Sequence, residues 1–376
     1  MIYHVLPNGE PFSAYFGGAI ARNVANIMRF DDSRVVVCES SDNSWGYGND
    51  RIIEIPGLRV YGAIIGKKFL PSWICGPIIR HLFQSFVSNL KRGDVVWVHN
   101  QPYFAASLDK TIHLKNAALI CHFHNSVTTV ARKSVFKSFT PDASIFVSES
   151  MRLEGLRLIP NLRNTSAIHN GADESLFYPL LPGSVRNSPV PIVLYIGRLN
   201  AKKGVHVLIE AMKLLQERKC EAVCRVFGTA HAGGSTSTHY IRSLLKSSPS
   251  NVQFEGYRSG KEIAEQYRAA DILCCPSIWQ EPFGNVNIEA MACGIPVVAT
   301  SVGGIPEIAS DGGVILVAPN SAVDLADALQ RLIEDRDLRA RVAEEGLRSF
   351  RKRFTWASIY RQYQEVVEGL HAGVTE

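Results

Sequence analysis

The chain has 376 residues, 46% of them hydrophobic and 20% charged, with a formal net charge of +5. That length and apolar content suit two ordinary cores. The opening MIYHVLPNGEPF has no basic flank, long apolar stretch or small-residue cleavage site, and the longest apolar candidate, residues 69–86, is broken by Pro71, Pro77 and Arg80. Neither export nor a bilayer span is therefore expected, and the sequence reads as a soluble, cytoplasmic protein.

In chain order, apolar runs at 2–6, 34–38, 94–99, 117–124 and 143–148 read as strands, separated by stretches with helical spacing such as 18–30. The same alternation returns at 191–197, 222–228, 252–256, 271–277, 295–300 and 313–317. Continuous apolar strands alternating with helices predict an α/β protein with parallel sheets covered on both faces. Between the halves, 178–197 is rich in Pro, Gly, Ser and Asn, as a linker would be. The expected division is a Rossmann-like domain over 1–184, a second over 185–355, and a terminal helix over 356–376. That helix is predicted to pack against the protein rather than dangle, because Trp356, Ile359, Tyr360 and Tyr363 recur at helical spacing, and the first domain is the partner expected for it.

None of the eight cysteines has a zinc spacing, and Cys38, Cys121, Cys224, Cys274 and Cys275 fall in or beside strand-like runs, so all eight are expected to be structural and free. Charge is uneven. From Arg59 to Lys137 there are eleven basic residues against two acids, Asp94 and Asp109. This segment is either a scattered solvated surface or a face that meets an anionic membrane or a lipid-linked acceptor. Nucleic acid is not expected, since aromatic interleaving and recognised modules are missing.

The chemistry sits at strand ends, where doubly wound sheets bind ligands, which predicts a site in a cleft between the two domains. In 197-GRLNAKKG-204 a strand stops, a loop carries Arg198, Lys202 and Lys203, and a helix opens. A helix start with added cations suits phosphate; an ordinary strand–helix junction with solvated lysines is the other reading. Gly17 and Gly18 precede a helix after the first strand, either for close approach to a ligand or for a packing turn. In 281-EPFGNVNIEAMACGIPVVAT-300 a helix is predicted to begin at Gly284 and Asn285. Glu281 then lies before it and Glu289 in its second turn, with the amides of Gly284 to Val286 between them. Two carboxylates among amide donors suit a polyhydroxylated, partly anionic ligand, or they merely complement the helix N-terminus.

Taken together, 168-IHNGADESLFYP-179, 197-GRLNAKKG-204 and 270–308 with its E-x7-E pair resemble the retaining glycosyltransferases of family 4. That resemblance implies the GT-B architecture of two facing Rossmann-like domains. It implies that Arg198 and Lys203 hold the donor diphosphate, that Glu289 binds the ribose hydroxyls, and that Glu281 contacts the transferred sugar with the amides following Phe283. Gly17 or Gly18 would lie by the phosphates or the acceptor; Gly228 with 256-GYRSG-260, including Tyr257 and Arg258, would border the base. His124 of 121-CHFHNS-126 matches a histidine near the transferred sugar, and His122, on the same side of the strand, either shares that role or is packed. No third ligand with suitable spacing accompanies the H-x-H pair, so no metal is expected, and no cofactor either: the nucleotide-sugar is a substrate. The glycine segment YFGGAIARN departs from the usual family pattern, which leaves the acceptor side weakly specified.

The implied activity is metal-independent transfer of a hexosyl unit from a UDP-sugar, or a GDP-sugar, to a glycan, lipid-linked or small-molecule acceptor with retention at the anomeric carbon. A nucleotide-sugar epimerase of the same architecture is the alternative, to be separated by asking whether the donor alone yields an isomer.

Overall fold

The computed structural model describes residues 1–14, 18–42, 44–55, 57–58, 72–130, 139–159, 162–180, 190–230 and 239–372. Gly17, six of the basic residues between 59 and 137 (Arg59, Lys67, Lys68, Arg132, Lys133 and Lys137) and residues 181–189 of the expected linker lie outside the described residues. The chain forms two compact units, Met1–Asn170 with Ile359–Glu376, and Gly171–Ser358.

In the first unit the strands are β1 (Ile2–Val5), β2 (Arg34–Cys38), β3 (Ile52–Glu54), β4 (Val95–His99), β5 (Ala118–Phe123), β6 (Ala143–Phe146) and β7 (Thr165–Ala167). They form one sheet in the order β3-β2-β1-β4-β5-β6-β7, with every pairing parallel. The second unit contains β8 (Ile192–Ile196), β9 (Val223–Phe227), β10 (Val252–Gly256), β11 (Ile272–Cys275), β12 (Val297–Thr300) and β13 (Val314–Val317). Their order is β10-β9-β8-β11-β12-β13, again all parallel. The inner strands read VVVC, VVWVH, ILCC and VVAT and are buried at every position. Such strands need helices on both faces, which excludes a one-sided sheet. Strand order reverses between β1 and β4 and between β8 and β11, so the loops following those four strands flank the points where open α/β sheets take ligands.

The division between units differs from the expected boundary at 184/185. Ala172 bridges Thr355, Arg268 Nη1 donates to the carbonyl of Leu176 at 3.0 Å, and Phe177 packs edge-on against Tyr267 at 5.5 Å. These contacts fasten 171–178 to the second unit, well before the proline-rich stretch. The terminal helix runs Trp356–Ala372, and from Ile359 onward it belongs to the first unit. There Tyr360 stacks on Phe30, Tyr363 meets Trp97 edge-on, and a ring nitrogen of His371 lies 3.3 Å from the carbonyl oxygen of Gly93. All eight cysteines are free and buried.

Candidate functional site

In the second unit the loop after β8 is built to lie against the loop after β11. The side-chain oxygen of Asn200 accepts from the Lys203 amide at 3.2 Å, closing the short turn Ala201–Lys203, a cap worth about 1 kcal/mol. Gly204 follows with φ +71°, and a Cβ there would stand 1.8 Å from the carbonyl oxygen of Pro276. Only glycine permits that approach. The Ile278 amide donates to the Lys202 carbonyl at 2.9 Å, completing the join.

The join brings Lys203 to Glu281. The Lys203 Nζ lies 2.9 Å from Oε1 and 2.7 Å from Oε2 of a carboxylate that is buried. Trp279 Nε1 and Ser277 Oγ donate to Oε2 at 2.9 and 3.0 Å, so the buried charge is satisfied by three donors. The indole of Trp279 also lies 5.4 Å from Lys202 Nζ and 5.7 Å from Lys203 Nζ. A third loop, after β12, clamps the backbone: Gly304 N donates to the Glu281 carbonyl at 2.8 Å, and a Cβ on Gly303 (φ +56°) would come within 2.0 Å of that oxygen.

The predicted helix is present as Asn285–Ala292 with Gly284 at its N-cap, and Glu289 stands in its second turn. The Tyr267 hydroxyl donates to Glu289 Oε2 at 2.6 Å, and burial, then the Glu289 charge, push that phenol well above its usual range. Asn285 and Val286 are half-buried at the helix start. Phe283 is not available as a ligand contact. Its ring is buried 6.0 Å from that of Phe354, so only the amides after it face the helix start. Arg198 is exposed, with no ion-pair partner among the described residues. Gly228 follows β9 and donates its amide to the Gly256 carbonyl at 2.8 Å. Tyr257 is 46% exposed, and Arg258 turns back to the Tyr257 carbonyl at 2.8 Å and lies 3.9 Å from Glu262.

Sequence reasoning missed Trp279, Ser277 and Tyr267. A tryptophan two residues before an acid in a strand-end loop was the available signal.

In the first unit the Gly18 expectation is corrected. Gly18 caps helix Ala19–Met28, but Glu10 Oε1 already accepts from the Ala21 amide at 2.7 Å, with burial raising this carboxyl against the pull of the Ala21 and Ile20 amides. The anion at this helix start is the chain's own.

A row of histidines crosses the same sheet. Register pairs His4 with Trp97 and His99 with His122, and His124 follows two residues on, so the period of two puts all four histidines on one face. Arg34 of β2 places Nη1 3.0 Å from His4 Nε2; His4 Nδ1 is 2.9 Å from His99 Nε2; His99 Nδ1 is 3.0 Å from His124 Nε2. Burial holds His4, His99 and His122 well below the usual histidine value and lowers His124 to about 3. All four are neutral imidazoles near pH 7. His122 is packed rather than bonded: its ring lies 4.0 Å from that of His124 and 5.7 Å from that of Tyr363, and neither nitrogen has a partner among the described residues. The expectation that the H-x-H pair lacks a third ligand is also corrected, since nitrogens of His99, His122 and His124 come within 4.8 Å of one another. Pairing between adjacent strands, not sequence spacing, supplies His99.

Of the eleven basic residues between 59 and 137, the described ones are Arg80, Lys91, Arg92, Lys110 and Lys115; Arg80 and Lys115 line one cavity with Val87 and Leu108. Asp94 and Asp109 are buried. Among the described residues no helix is long and apolar enough to cross a membrane.

Two parallel, doubly wound sheets of this kind define a GT-B protein. The family model of the glycosyl transferases group 1 matches residues 182–349 of the chain. The chain is 34% identical over 215 residues to the D-inositol 3-phosphate glycosyltransferase of Corynebacterium aurimucosum, covering 54% of this chain and 51% of that one. Against the alpha-maltose-1-phosphate synthase of Mycolicibacterium smegmatis the identity is 31% over 249 residues, covering 61% and 64%. The matches thus span about half to two thirds of these relatives' lengths. The crystal structure of Anabaena HepE in complex with UDP-glucose has the same fold, with TM-score 0.75, 20% identity and coverage of 98% and 100%.

Proposed function

We propose that the chain is a retaining glycosyltransferase whose second unit binds a nucleotide-sugar, a UDP-sugar in preference to a GDP-sugar. The observation that carries this reading is the Lys203–Glu281 pair, held by three loops beside the start of helix Asn285–Ala292. Lys203 is balanced by a carboxylate that also has Trp279 and Ser277 as donors. A diphosphate arriving beside Lys203 and the exposed Arg198 meets a fixed cation without the cost of ordering it. Glu281 keeps an acceptor for sugar hydroxyls, and Glu289, oriented by Tyr267, keeps one for the ribose.

The difficult event is the build-up of negative charge on the departing diphosphate. Arg198, Lys203 and the helix-start amides oppose it, which makes the reaction independent of a metal ion. Attack on the same face as departure, with the phosphate taking the acceptor's proton, gives retention. The first unit takes the acceptor, and His124 is assigned to the transferred sugar. The names of the two relatives favour transfer over epimerisation.

Thermal-shift screening against UDP, GDP, ADP and their sugars, followed by product analysis with candidate acceptors in the presence of EDTA, tests the reading. Stabilisation by UDP and its sugars with an acceptor-dependent product of unchanged anomeric configuration is expected. An isomer formed from the donor alone, or transfer abolished by EDTA, would overturn it.

A further inference from the structure

Arg34 is almost fully buried in β2, at 1% exposure. Its Nε lies 3.1 Å from Asp31 Oδ2, and Tyr360 of the terminal helix covers its guanidinium at 5.0 Å. A buried guanidinium held this way has a task for its remaining hydrogens. Nη1 is aimed at His4 Nε2.

The direction of the whole row follows from proton counting. Arginine only donates, so His4 Nε2 must accept and the single ring proton of neutral His4 sits on Nδ1. His4 Nδ1–H then donates to His99 Nε2, which forces the His99 proton onto Nδ1, where it faces His124 Nε2. His124 is left with its own proton on Nδ1. No partner for that nitrogen occurs among the described residues, and, unlike both nitrogens of His122, it is not a sealed buried atom. Each residue moves one strand along the sheet, from β2 through β1 and β4 to the end of β5, so the row runs from the amino end of β2 to the carboxyl edge of the sheet.

We propose that Arg34, acting through His4 and His99, is a positioning residue that fixes His124 as the neutral Nδ1–H tautomer, a hydrogen-bond donor at the carboxyl edge of the first sheet. Under the function proposed above, on which this last clause rests, the hydroxyl it meets belongs to the transferred sugar. The same count disposes of a metal at His99, His122 and His124. A metal needs a bare nitrogen, and the one that His99 turns toward the cluster carries the proton that Arg34 dictates, leaving two ligands where three or four are needed. Burial of the row keeps every member neutral at physiological pH, as the count requires.

Long-range proton–nitrogen NMR on full-length protein labelled with 15N in its histidine rings reads the tautomers without any substrate, His124 being assigned through His124→Asn. The expected result is an Nδ1–H pattern for His4, His99 and His124, with His124 losing its single tautomer in Arg34→Met and recovering it in Arg34→Lys. In a transfer assay Arg34→Met should lower kcat roughly tenfold, the worth of about one hydrogen bond, with KM for the donor unchanged. An Nε2–H pattern at His124 in the unmodified protein overturns the proposal whether or not the variants fold. So does a stoichiometric response of His99, His122 and His124 to added zinc, which would make the cluster a metal site. Correct tautomers with no transfer under any donor would keep the relay and reject the glycosyltransferase reading.

Discussion

The Nζ of Lys203 lies 2.7 and 2.9 Å from the two carboxylate oxygens of Glu281, although 78 residues separate them in the chain. The pair exists because two loops at one switch point are pressed together at a glycine, and both the stability of those loops and their charge depend on it.

Replacing Glu281 with Gln keeps acceptors for Trp279 and Ser277 but removes the charge that balances Lys203. Urea denaturation should show a loss of about 1–3 kcal/mol, the range for a buried charge-assisted contact. Binding of UDP should be kept or tightened, because Lys203 is left uncompensated, while transfer falls at least about 100-fold. Loss of UDP binding in this variant would mean that Glu281 holds the nucleotide itself.

Gly204→Ala places a methyl group where Pro276 already has its carbonyl oxygen, in a backbone conformation of φ +71° that alanine resists. The loops must separate, at a cost of roughly 3 kcal/mol or more. Thermal melting should show it, with UDP no longer stabilising what remains folded. A variant as stable as the parent would place the two loops further apart than described.

How much of this was legible in the sequence depends on where each residue sits in its sheet. Strands 34–38 and 252–256 have their expected bounds, the run VVVC stopping at Glu39 and VQFEG at Gly256. The strands missed altogether, Ile52–Glu54 and Thr165–Ala167, are three-residue edge strands without a buried position, so they carry no apolar run to read. Glu281, Glu289 and Lys203 were visible because each lies in a local strand–loop–helix pattern. The Arg34–His4–His99–His124 row was not, since its members are joined only by the register of neighbouring strands. The glycine turn before Ala19 misled for a similar reason: Glu10, which fills the helix start, lies eleven residues before Ala21 on the other side of the turn.

The buried histidines make stability depend on acid. In the unfolded chain each takes up a proton near pH 6.5, whereas His4, His99, His122 and His124 resist protonation when folded. Their contribution is therefore complete above about pH 6.5 and is lost as pH falls, by up to about 1.4 kcal/mol per pH unit for each histidine. His122→Phe separates this effect from packing. Neither nitrogen of His122 has a partner among the described residues, so at pH 7.5 the variant should be as stable as the parent or about 1 kcal/mol more stable, with a shallower loss toward pH 5. A loss above about 2 kcal/mol at pH 7.5 would show that something does bind those nitrogens.

His124→Ala removes a half-buried side chain of the first unit. Thermal stabilisation by UDP should be unchanged, with product formation reduced on the order of 100-fold. Equal losses of nucleotide binding and turnover would make His124 part of nucleotide recognition instead.

The most direct measurement is a crystal structure of the protein soaked with a UDP-sugar. Arg198 and Lys203 should each lie within ion-pair distance of the diphosphate oxygens, Lys203 drawn partly from Glu281, and the Glu289 carboxylate should meet the ribose hydroxyls. A donor bound away from the loops that follow β8 and β11, with the Lys203–Glu281 pair undisturbed, would contradict the account.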